Sequence, residues 1–123
     1  MTHAPGSADE ALARIDSDIE AAQERARRAT EFRQTLDEVR GRATVRGVTV
    51  TLDSAGGLRD LALPSTFDER SATELRDDIL AAVRAAQQDV ADAVRGEAAR
   101  AFGPGSPVSQ RLETELEQRF GSV

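Results

Sequence analysis

Leu12, Ile15, Ile19, Ala22, Ala26, Ala29 and Leu36 recur at alternating intervals of three and four, interrupted only at Arg33. That spacing lines one side of an α-helix as an a/d heptad stripe, and no Gly or Pro breaks it before Gly41. Ser7 and Glu10 stand in capping-box spacing at its start. The pattern predicts one helix over residues 8–39, roughly 48 Å long at about 1.5 Å per residue. Such a rod must pack along a second long helix or extend into solvent.

After Gly41 the period changes from 3.6 to 2. Val48, Val50 and Leu52 alternate with Thr49 and Thr51, the signature of a strand with one apolar face. Asp53-Ser54-Ala55-Gly56-Gly57 supplies turn formers, and Leu58–Leu63 follows as a second strand closed by Pro64. Arg42–Val45, joined through Arg46-Gly47, adds a weaker strand before them. The sum is a three-stranded antiparallel meander, which cannot stand without something to cover its apolar face.

A second capping box, Ser71-Ala72-Thr73-Glu74, opens another long helix. Its stripe is Leu75, Ile79, Val83, Ala86, Val90 and Val94, and it runs to about Phe102 with a weak point at Gly96. Gly103-Pro104-Gly105-Ser106-Pro107 breaks it. A last amphipathic segment carries Val108, Leu112, Leu116 and Phe120. The fold class is α+β: long helix, three-stranded meander, long helix, short C-terminal helix. The expected organisation is a disordered tail over 1–7, a domain over 8–102, a linker over 103–107 and a helix over 108–123. The C-terminal helix either docks on its own domain, stays mobile, or offers Leu112, Leu116 and Phe120 to a protein partner, since apolar spacing on a tether suits helix-in-groove recognition.

Composition sharpens this picture. Of 123 residues, 21 are alanine, while Leu, Ile, Val and Phe together number 26. A core that thin implies closely packed helices and a partner chain to complete the burial. There is no cysteine, and the single histidine is His3 in the N-terminal tail. Thiol chemistry, zinc-thiolate sites and a histidine base are therefore excluded from the folded part. The Asp77/Asp78 and Asp89/Asp92 pairs read as a solvated helix face, and Gly56-Gly57 reads as a turn without the lysine of a phosphate loop. No enzyme, cofactor or metal site is expected. No apolar run is long enough for a membrane span, and the chain is expected in the cytoplasm.

The string from Gly47 to Pro64, with Glu74-Leu75, Ile79 and Ala85-Ala86 downstream, resembles the YbaB/EbfC family of bacterial nucleoid-associated proteins. The likeness covers residues 8–100. It implies a homodimer whose sheets form a shared centre, built on Val48, Val50, Leu52, Leu58, Leu61 and Leu63, with the long helices as arms. It also implies duplex DNA as the partner, bound with weak sequence preference at the nucleoid. The Arg46-Gly47 connection is shorter than the family's usual one. Some relatives in GC-rich bacteria are associated with specialised secretion loci, which supplies an alternative: an adaptor or chaperone-like protein acting through the C-terminal helix.

The net charge of −6 opposes DNA binding, but its distribution does not. Between Arg25 and Arg46 stand seven arginines (25, 27, 28, 33, 40, 42 and 46) against Glu31, Asp37 and Glu38. Local sign dominates within a Debye length of about 8 Å. Two readings of the stretch remain open: a solvated face laced by i,i+4 pairs, or phosphate contact through Arg25, Arg28, Arg33, Arg40, Arg42 and Arg46. Base readout finds no support, because nothing resembles a recognition helix and four Phe cannot build a stacking platform.

Overall fold

The computed structural model describes residues 5–121, so His3 and residues 1–4 of the expected tail lie outside it. Its elements are α1 (Pro5–Glu38), β1 (Arg40–Val45), β2 (Val48–Asp53), β3 (Leu58–Ala62), a 3-10 turn (Phe67–Glu69), α2 (Ala72–Phe102) and α3 (Pro107–Phe120). The predicted α+β order is the observed one. Two compact units meet between Arg33 and Gln34.

The first unit is helical. α1 begins at Pro5, ahead of the Ser7–Glu10 box, so Ser7 lies inside the first turn and does not cap it. A proline is tolerated there because its missing N–H would have no intrahelical acceptor. Pro5, Gly6 and Ser7 are thus helix, where a disordered tail was expected.

In the second unit the strands form one antiparallel sheet in the order β1-β2-β3. Arg46 and Gly47 make the tight connection between β1 and β2, both with positive φ (49° and 84°). This is the geometry whose twist matches two antiparallel strands, and Val45 pairs with Val48 across it. β1 starts two residues earlier than the sequence pattern indicated, because Gly41 belongs to the strand and pairs with Leu52. Val48, Val50 and Leu52 are buried, and α2 packs across β1 and β2.

On the α2 side the deepest residues of that contact are alanines. Ala82 and Ala86 are fully buried, while Leu75, Ile79 and Val83 only flank them. Small side chains let the α2 backbone approach the sheet. A Cβ on Gly41 would lie 2.5 Å from the Ala86 carbonyl oxygen and 2.6 Å from Val90 Cβ.

The Ser71–Glu74 capping box forms as expected. The Glu74 amide donates to Ser71 Oγ, and the Ser71 amide donates to Glu74 Oε1, both at 3.1 Å. Glu74 is consequently held below the usual carboxylate range, chiefly by that Ser71 amide. α3 starts at Pro107 behind the Ser106 cap. It turns inward, and Leu116 is buried with Ala91 and Val94, with Leu36, Val39, Leu112 and Phe120 packed around them.

Candidate nucleic-acid interface

The six arginines expected to face DNA fall into different environments. On α1, Arg27 pairs with Glu24 and Glu31, and Arg28 Nε lies 3.2 Å from Glu24. Glu24 is held below the usual carboxylate range, first by its hydrogen bond to Arg27 and also by Arg28, against partial desolvation. Both guanidinium charges are therefore locally compensated. Arg25 and Arg33 are exposed and have no ion-pair partner among the described residues.

In the second unit, Arg40 donates from Nη1 to the carbonyls of Asp37 and Val39 at 2.9 Å, closing the last turn of α1. Arg42 is held through its backbone. Its amide donates to Asp89 Oδ2 at 2.8 Å, which satisfies the outer edge of β1 and leaves the guanidinium exposed and unpaired. Alternation with buried Gly41 places the Arg42 side chain on the sheet face away from α2. That face continues through Thr51 and Asp60, which pair with Arg42 in sequence across the strands.

Arg46 serves the fold. Asp78 is only 3% exposed, and its carboxylate accepts from Arg70 at 2.9 Å and Arg46 at 3.3 Å. Arg70 also donates to the Arg46 carbonyl. The three residues lock the β1–β2 turn to α2, and a buried carboxylate of this kind needs such partners.

The leucines expected in the sheet core divide from the valines. Leu58, Leu61 and Leu63 are 59%, 40% and 42% exposed. Yet Leu61 pairs with Val50 and Leu58 with Leu52, which sets both on the covered side of the sheet. A register shift at Thr51/Leu52 makes this possible, since it leaves Arg59 as the extra residue. α2 does not reach across β3, so the apolar row of β3 is open within one chain.

The other candidates are consumed structurally. Asp92 accepts from Gln88 and Arg95, and Asp77 from Arg76. The amides of the Gly56-Gly57 turn are not free for a phosphate, because Asp53 Oδ1 accepts from Gly57 N at 2.7 Å and Ala55 N at 3.0 Å. Of the alternatives open for Leu112, Leu116 and Phe120, docking on their own domain is the one observed: they pack in the intramolecular cluster. Arg95 fastens that contact with an ion pair to Glu113 at 2.8 Å. Among the described residues no group of three His, Cys, Asp or Glu could hold a metal ion, and no helix is long and apolar enough to cross a membrane.

The model of the YbaB/EbfC DNA-binding family matches residues 12–105. The chain belongs to that family. No curated protein and no solved structure matches it. α3 begins just beyond the part matched to the YbaB/EbfC family. Arg59 at the bulge and Arg84 on α2 lie outside the arginine-rich stretch and, like Arg14, Arg111 and Arg119, are exposed with no ion pair among the described residues. The three-residue spacing of Leu58 and Leu61 was the available signal for Arg59, because only a bulge keeps both leucines on one face.

Proposed function

We propose that this YbaB/EbfC protein is a non-enzymatic, nucleoid-associated homodimer that binds duplex DNA by its phosphates, with little sequence preference. The observation that carries this reading is the match to a DNA-binding family over most of the chain. The uncompensated guanidinium group of Arg42 supports the phosphate mode, because sequence-independent affinity comes from neutralising phosphates. The open leucine row of β3 supports self-association through the sheets. Two exposed leucines, Leu58 and Leu61, on the core side of a sheet need a cover, and a second copy offers an identical one. The cytoplasmic nucleoid is the location this activity requires. The adaptor alternative loses support, since its partner-binding side chains are packed against α2 and the C-terminal part of α1.

Retardation of duplex DNA across a salt series tests the reading. Binding should weaken on a log–log plot with a slope of about −0.9 per phosphate neutralised. Changing Arg42 to Ala should flatten that slope by about 0.9 and leave circular dichroism unchanged. Absence of retardation at about 50 mM salt rejects DNA binding. Sedimentation should find at least a dimer for the parent chain and a smaller species for Leu61→Arg. A parent chain that sediments as a monomer rejects the sheet interface.

A further inference from the structure

α1 carries an apolar stripe that no described residue of its unit covers. Leu12, Ile15 and Ile19 are 60%, 53% and 50% exposed. The same stripe continues as Ala22, Ala26 and Ala29. Its first half is bulky and its second half small. Charge follows the same division. Asp9, Glu10, Asp16, Asp18 and Glu20 stand against Arg14 in the first half, whereas four arginines stand against Glu24 and Glu31 over residues 24–33.

We propose that α1 pairs antiparallel with α1 of a second copy. In heptad terms Leu12, Ile19, Ala26 and Arg33 occupy a positions, and Ile15, Ala22 and Ala29 occupy d positions. Antiparallel pairing sets a against d. Ile19 then faces Ala22 of the second copy, Ile15 faces Ala26, and Leu12 faces Ala29. Each layer receives one large and one small side chain, so the two helices approach evenly along the seam.

The flanks agree with this register. Asp18 and Arg25 are both g positions, and antiparallel pairing brings Asp18 of one copy beside Arg25 of the other, twice by symmetry. Arg33 falls opposite Ala8 of the second copy, near Asp9, which accounts for a cation inside an apolar stripe. A parallel pair is worse on every count. It sets the acidic halves side by side, stacks Arg33 on Arg33, and leaves an alanine-on-alanine half that buries little. An unrelated helix has no reason to match both the size gradient and the charge gradient, whereas a reversed copy of the same helix matches both.

The absence of cysteine makes the orientation measurable by cross-linking the full-length protein. Leu12→Cys and Ala29→Cys are prepared separately, mixed and oxidised. The mixed disulfide should form well above the level given by Leu12→Cys with the exposed control Thr114→Cys. Leu12→Cys alone should not cross-link, since in the antiparallel pair its two copies stand about 25 Å apart along the axis. Asp18→Arg should lower the mixed yield about fivefold at low salt, and Asp18→Arg/Arg25→Asp should restore it. Self-cross-linking of Leu12→Cys overturns the proposal in favour of a parallel pair. A mixed yield no higher than the control overturns pairing altogether, and failure of the double reversal to restore the yield overturns the register.

Discussion

Gly41 lies where β1 and α2 come closest, and the position tolerates no side chain. A Cβ there would meet both the Ala86 carbonyl and Val90 inside van der Waals contact. Gly41→Ala should therefore lower stability by about 1–3 kcal/mol, the usual cost of overpacking, read as a lower urea midpoint. Asp53 answers to pH. Its carboxylate accepts the Gly57 amide and, more weakly, that of Ala55, and the nearby Arg59 and Arg40 add to the effect. All of these hold it below the ordinary value of about 3.9. A depressed folded value means that the contribution is complete above the unfolded value and is lost as pH falls through the folded one. The Gly57 amide proton should therefore shift with a midpoint below about 3.9, and Asp53→Asn should abolish the transition. A midpoint at or above the ordinary value would show that the turn does not depend on the carboxylate.

Among elements, α3 is the one for which the sequence pattern left several arrangements open, and it docks on its own domain. Leu116 is 2% exposed between Ala91 and Val94. Leu116→Ala should cost about 2–4 kcal/mol by loss of burial and the cavity left behind, measurable by chemical unfolding. If α3 instead waited undocked for a protein, that substitution would leave stability unchanged. The sequence was most legible where a local rule decides the outcome. Ser71 and Glu74 mark a helix start because their side chains meet orphan amides within one turn, and Val48, Val50 and Leu52 mark a buried strand face by period alone. It was less legible where a distant element decides. Nothing local says that Ala82 and Ala86 lie deeper than Val83, since that follows from how closely a helix settles on a sheet containing Gly41. The arginine stretch shows the same limit, because Arg46 is drawn to Asp78, thirty-two residues away. The free guanidinium of Arg42 likewise depends on Asp89 accepting its amide and not its side chain.

At the scale of the whole molecule, an acidic protein that binds DNA must do so through a patch whose charge is not cancelled nearby. Glu24 is the residue that cancels most, because one carboxylate engages both Arg27 and Arg28. Removing its charge should release Arg28 into the arginine-rich stretch, while Arg27 keeps its pair with Glu31. Glu24→Gln should bind duplex DNA more tightly at low salt and steepen the log–log slope by about 0.9, the value for one further phosphate neutralised. The loss of the two intrahelical pairs weakens α1 only by about 0.2–0.5 kcal/mol each, so helicity should survive. The same change in net charge placed elsewhere separates patch from bulk. Glu115 on α3 is exposed and has no ion pair among the described residues, and Glu115→Gln should leave the slope where it was. Equal gains from both variants would mean that only total charge matters, because beyond about 8 Å salt screens a fixed carboxylate from a bound phosphate. No gain from Glu24→Gln would place the DNA away from this side of α1 and leave Arg42 on the sheet as the contact to pursue.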